Sequence, residues 1–198
     1  MDHALVLGGT GMLAGVCLGL ADRGCAVSVV ARGHARLAAL ARRSAGLAGP
    51  INPVPVDYHD HGALAAGIRA AGMAHGPVRL VVAWVRSSAT GTLELVCDLV
   101  ASERAPRDVL HVRSSAAADP MDRATARSQA LALERLPGVR YRQVVLGFVH
   151  EQGSARWLTD AEIAAGVLGA LDSGASLTVV GTVRPWSARP GAGAAPTG

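Results

Sequence analysis

The stretch that decides the fold is Ala4-Leu5-Val6-Leu7-Gly8-Gly9-Thr10-Gly11-Met12-Leu13-Ala14-Gly15. Ala4 to Leu7 form a short apolar run of strand type. A glycine cluster follows, then a helical segment to about Arg23. The spacing Gly8-x-x-Gly11-x-x-Ala14, between a strand and a helix, suits a turn that offers backbone N–H groups to phosphate at the positive end of a helix. Gly8 allows the tight turn, Gly11 leaves room for a pyrophosphate, and Ala14 lets the helix lie close to the strand. Gly9 stands beside the motif, and the backbone of Thr10, Gly11, Met12 and Leu13 faces the phosphates.

Outward from this motif the same alternation repeats. Apolar runs at Ala26 to Ala31, Ile51 to Asp57, Val78 to Val85, Val109 to Val112, Tyr141 to Leu146 and Leu177 to Val180 are separated by helical stretches. Those stretches reach about Ser44, span about Asp60 to Ala74, Thr90 to Arg104 and Met121 to Leu136, and begin again near Thr159. Continuous apolar strands alternating with helices predict a parallel sheet covered on both faces. The fold class is therefore α/β: a single doubly wound Rossmann domain with a mostly parallel sheet of six to seven strands. Pro53 and Pro55 place the third strand near the sheet edge. Thr159 and Glu162 have the spacing of a capping box. The domain is expected over 1–186, with a substrate-covering part from about 147. The small-residue tail 187–198 is expected to be disordered.

The chain has 198 residues, one domain's length. Hydrophobic residues make up 50% and charged residues 17%, which excludes a disordered chain. Aromatics are only 3%, so Ala, Val and Leu must build the core. All 19 Lys+Arg positions are arginine, a pattern that fits GC-rich bacterial coding. Without lysine there is no Schiff-base chemistry. A net charge of +4 spread along the chain predicts no nucleic-acid partner. Cys17, Cys25 and Cys97 match neither a disulfide framework nor a zinc site. No apolar run reaches the ~20 residues of a membrane span. The first segment lacks the basic start of a signal peptide. A reduced cytoplasmic protein is expected, with no membrane partner and no metal.

The end of the second strand selects the nucleotide. An NAD site places a carboxylate there for the ribose hydroxyls. Here the sequence is Val30-Ala31-Arg32-Gly33-His34-Ala35-Arg36, without a carboxylate. Arg32, with Arg36 one turn on, offers guanidinium groups to a 2′-phosphate. NADPH/NADP is the expected cofactor.

These residues resemble the short-chain dehydrogenase/reductase superfamily, and within it the compact atypical members. The resemblance spans about residues 3 to 150 and is specific in the first 60. It implies that Asp57 and Tyr58, at the end of the third strand, border the adenine. It also implies that Ala83 and Trp84, ending the fourth, lie by the nicotinamide ribose. Ser114 or Ser115, after the fifth strand, would stand for the family's catalytic serine. The family's Tyr and Lys pair is missing. Its positions fall near Arg123 and Arg127, and arginine is no general acid near neutral pH.

His111, Ser114 and Ser115 are therefore the candidate catalytic residues, with His111 a proton donor near pH 6–7. Arg86, Arg113, Arg127, His150 and Trp157 are candidates for a substrate pocket, bordered also by Glu151 and Arg156. His59 and His61 around Asp60 read as the start of a helix rather than a metal cluster. Trp186 either packs on the body or makes a subunit contact in a homodimer. The expected function is an NADPH-dependent reductase of a small molecule, such as an imine or activated alkene. Two readings stay open beside it: a non-catalytic NADP-binding sensor or scaffold, and a non-redox lyase or cyclase on the same fold.

Overall fold

The structure is a computed structural model that describes residues 3–102, 104–118, 123–151 and 154–190, with the backbone alone at 117–118, 123–126 and 129. Its elements are β1 (His3–Leu7), α1 (Ala14–Asp22), β2 (Ala26–Val30), α2 (His34–Arg43), β3 (Ile51–Val54), α3 (His61–His75), β4 (Val78–Ala83), α4 (Thr92–Val100), β5 (Arg107–Arg113), α5 (Arg123–Glu134), β6 (Val139–Leu146), β7 (Phe148–Glu151), β8 (Ser154–Trp157), α6 (Asp160–Ser173) and β9 (Leu177–Val180). Seven strands form one sheet in the order β3-β2-β1-β4-β5-β6-β9, each pair parallel. This is the doubly wound α/β architecture that the sequence predicts. β3 is an edge strand, so the missing N–H of Pro53 breaks no ladder between two strands.

Successive residues of a strand point to opposite faces, and both faces are covered. On one, Ala4 and Val6 of β1 pack with Val16, Leu20, Leu37, Ile163 and Val167, so α1, α2 and α6 form that layer. On the other, Leu5 and Leu7 pack with Leu64, Ile68, Leu93, Val96 and Leu133 from α3, α4 and α5. α1 and α6 approach closely because small residues face each other. A Cβ added to Gly15 would lie 2.7 Å from Ala164 Cβ, and one on Gly19 would lie 2.5 Å from Leu168 Cδ1.

Three strands are also linked by a buried polar chain at their amino ends. The Asn52 amide donates to Ser28 Oγ at 2.9 Å, and Ser28 Oγ lies 2.8 Å from His3 Nε2. The His3 Nδ1–H donates to the Gly76 carbonyl at 2.8 Å, so Nε2 is the acceptor for the serine hydroxyl. Burial lowers the His3 pKa and keeps this ring neutral. A one-residue slip of register would orphan the set.

Several features differ from the sequence expectation: β3 ends at Val54 rather than Asp57, which leaves Asp57 and Tyr58 in the following loop, and β4 ends at Ala83 rather than Val85. α4 ends at Val100, before the expected Arg104. Residues 148–157, expected only as a covering loop, include an antiparallel hairpin of β7 and β8. Trp186–Ala188 form a 3-10 turn, with the Arg189 guanidinium 4.5 Å from the Trp186 ring centre. Residues 191–198 of the expected tail lie outside the described residues.

Candidate active site

The carboxyl ends of the strands meet through the register pairs Leu7↔Val30, Val30↔Val54, Leu7↔Ala83 and Ala83↔His111. Between β1 and β4 the chain order reverses, and such a reversal opens the crevice where doubly wound sheets bind ligands.

The glycine turn sits at this crevice. Gly8 has φ +77, and its N–H donates to the Val30 carbonyl at 3.0 Å. A Cβ there would stand 3.0 Å from the Trp84 carbonyl oxygen, so Gly8 and Trp84 are in contact. Gly9 is tightly packed as well, since an added Cβ would lie 2.6 Å from Val29 Cγ1 and 2.8 Å from Cys17 Sγ, while Ala14 packs half-buried against the same core. The Cys17 thiol also donates to the Gly9 carbonyl at 3.6 Å, and burial pushes its pKa up to about 12. That thiol is an anchor for the turn that the sequence reading did not assign. Gly11 is different. It is exposed, and nothing lies within 4 Å of an added Cβ. Thr10 and Met12 are half-buried, and Leu13 is fully buried, so Leu13 presents only backbone to the crevice.

Beyond β2 and β3, Arg32 and Asp57 come together, with Arg32 Nη1 3.8 Å from Asp57 Oδ2. Asp57 Oδ1 accepts from the His59 backbone N–H at 3.0 Å and lies 2.7 Å from His59 Nδ1. These bonds to His59 hold the Asp57 carboxyl below its ordinary pKa. Arg36 is exposed, its Nε 3.2 Å from where a Gly33 Cβ would be. Asp60 caps α3 by accepting from Ala63 N at 2.9 Å, which accounts for the His59–His61 stretch. Among the described residues no group of three metal-ligating side chains occurs. The buried Thr92 hydroxyl donates to the Tyr58 carbonyl at 3.1 Å, and His61 Nε2 lies 3.1 Å from that Thr92 Oγ1. This tie between the β3 loop and α4 rests on tertiary contact across about thirty residues, and no local motif announces it.

His111 is buried, and its Nδ1 lies 2.7 Å from the Tyr141 hydroxyl. Burial, then the nearby Arg113, pushes the imidazole down to about 4. A proton donor working near pH 6–7 does not fit this environment; His111 stands at the strand end as a neutral ring. Ser114 is exposed at the end of β5, while Ser115 is buried and opens a 3-10 turn over Ser115–Ala118. Arg113 donates to Gln143 Oε1 at 3.2 Å. Arg86 and Arg127 are exposed. Ala83 is fully buried, so it contributes backbone only.

The β7–β8 hairpin is fastened at two places. Phe148 is fully buried, with its ring edge-on to His150 and Trp157 at 5.3 and 6.4 Å. Arg156 bonds both oxygens of Glu151 (2.6 and 3.1 Å) and of Glu162 (2.8 and 2.9 Å). Glu162 also completes the capping box on Thr159. Hydrogen bonds from Arg156 first, and from Thr159 next, lower the Glu162 pKa from 4.5 to about 2. Such a carboxyl takes up a proton more readily when unfolded. Its stabilisation is complete above the unfolded value and fades as pH falls from about 4.5 to about 2. Arg156→Ala should therefore raise hydrogen exchange in 148–157 at pH 7 and leave little difference from the parent at pH 2. Equal exchange at pH 7 would remove the clamp from the account.

A cavity of about 260 Å³ lies at the opposite, amino end of the sheet. Its charged lining is engaged in the fold: Arg23 pairs with Asp172, Asp108 with Arg140, and Arg142 donates to the carbonyls of Ala170 and Ala175. The crevice at the glycine turn is the better candidate.

No family model matches the sequence, and no curated protein matches it. Solved structures do match in fold. An actinorhodin polyketide ketoreductase with NADPH is 18% identical, with TM-score 0.70, covering 92% of this chain and 96% of that one. Pseudomonas aeruginosa RhlG with NADP is 16% identical, with TM-score 0.71, covering 91% and 94%. A 7 alpha-hydroxysteroid dehydrogenase with NADH and a 7-oxo bile acid is 16% identical, with TM-score 0.73, covering 90% and 92%. The chain has the Rossmann fold of the short-chain dehydrogenase/reductases.

Proposed function

We propose that this chain is an NADPH-dependent reductase of a small molecule that works without the Tyr–Lys pair. The observation that carries this reading is the opening at Gly11, in a turn at the head of α1, with the exposed Arg32 guanidinium beside the neighbouring strand end. The residues present fit a dinucleotide phosphate. Backbone N–H groups of the turn bind the pyrophosphate, Arg32 binds the 2′-phosphate, and Ala83 and Trp84 border the nicotinamide ribose. The NADPH and NADP in two fold neighbours support the same assignment.

When bound, NADPH supplies a hydride. The protein orients the substrate and provides a path for a proton. Ser114, at the mouth of the crevice, hydrogen-bonds the substrate and relays a proton from water. The His111–Tyr141 pair fixes the end of β5 beneath it. The hairpin, with Trp157 51% exposed, forms a wall against the substrate. Reduction of an imine or activated alkene suits this site, because such substrates ask less of a protein acid than ketones do. The neutral state of His111 and the absence of lysine also support a second reading, an NADP-binding sensor.

Two measurements test these readings. Arg32→Glu should reverse any preference for NADPH over NADH in a fluorescence titration, since the new carboxylate repels the 2′-phosphate. An unchanged preference would move the phosphate site elsewhere. NADPH deuterated at C4, incubated with a panel of imines, enones and ketones, should deliver label to a product in the reductase. A sensor binds the nucleotide and delivers none.

A further inference from the structure

Resting on the reductase reading of this site, we propose that the substrate is a small carboxylic acid, held as its carboxylate by Arg113. Arg113 is the last residue of β5, one before Ser114, at the crevice end of the sheet. It lies two residues beyond His111, which pairs with Ala83. It therefore shares a sheet face with His111 and stands past the end of β4. Its guanidinium is half-buried and donates through Nη1 to Gln143 Oε1 at 3.2 Å. That oxygen is neutral, and arginine has donors only, so the bond orients the fork without cancelling its charge.

The other cations near the pocket differ. Arg156 has two carboxylates, Glu151 and Glu162. Arg86 and Arg127 are exposed, where water compensates the charge. Arg113 enters no salt bridge among the described residues. Its charge is felt below it, where, after burial, it helps push His111 down to about 4. A guanidinium half out of water without a counter-charge is what a ligand carboxylate answers, with parallel N–H···O bonds and the opposite charge. A carboxylate anchored there keeps the rest of a small acid beside Ser114, the next residue.

The test is to titrate the NADP-loaded protein with pyruvate, crotonate and benzoate, each beside its methyl ester, following tryptophan fluorescence. The acid of each pair should bind roughly ten- to hundredfold more tightly than the ester, the usual contribution of hydrogen bonds to a charged group. Arg113→Met should abolish that difference and leave ester binding and NADP affinity as in the parent. Arg113→Lys should keep part of it, since the charge stays and the fork is lost. Equal binding of acid and ester by the parent, or an acid preference that survives Arg113→Met, would overturn the proposal. So would a loss of acid and ester binding together, which marks Arg113 as structural. A parent that binds no NADP fails the reductase reading instead, and the same titrations without nucleotide still score Arg113.

Discussion

Gly11→Val should lower nucleotide affinity by more than ~100-fold while leaving the melting temperature close to that of the parent. The two halves of this result come from one geometry. No atom lies within 4 Å of an added Cβ at Gly11, and its φ lies outside the left-handed region, so the fold accepts a side chain there. The same empty space is where a pyrophosphate must meet the backbone at the head of α1, and a branched side chain fills it. Gly9→Val makes the contrast. Its Cβ would collide with Val29 and Cys17, so that change should destabilise the protein itself. Unimpaired NADPH binding by folded Gly11→Val would place the nucleotide somewhere else.

Phe148→Ala should remove about 3–5 kcal/mol of stability, the usual range for emptying a fully buried aromatic site. The loss has a local consequence as well. Phe148 is the apolar anchor of the β7–β8 hairpin, holding His150 and Trp157 by edge-on ring contacts. Urea unfolding followed by circular dichroism gives the stability change, and Trp157 fluorescence reports the hairpin. A loss under about 1 kcal/mol, with the emission unchanged, would mean that the hairpin is held by Arg156 and the backbone alone.

Much of the frame was legible because it depends on local rules. Strands β1, β2 and β4 are mostly apolar, Pro53 sits at a sheet edge, and Thr159 with Glu162 makes the capping box that the spacing predicts. The glycine turn was legible for the same reason, since its shape is set within eight residues. Ala14 does pack against the core as its spacing suggests, but the other close contacts were not legible. The tightest contacts at the turn and α1 fall on Gly9, Gly15 and Gly19, and their neighbours Val29, Ala164 and Leu168 are distant in sequence.

The site beyond the turn was less legible. Arg32 and Asp57 were each readable as strand-end residues, but their mutual contact needs β3 beside β2. His111 carries no sign in the sequence of its bond to Tyr141. A histidine at a strand end reads as a titrating group until burial shows it neutral. The hairpin escaped because two four-residue strands with mixed polarity give no period to detect.

On the proposed function, the turn at Gly8–Leu13 and Arg32 together make a site for NADPH. Titration of the unmodified protein with NADPH and NADH, followed by nicotinamide fluorescence, decides whether it does. NADPH should bind roughly tenfold or more tightly than NADH, the effect of one charge-assisted hydrogen bond pair to the 2′-phosphate. Equal affinity for the two nucleotides, or binding of neither, would contradict it.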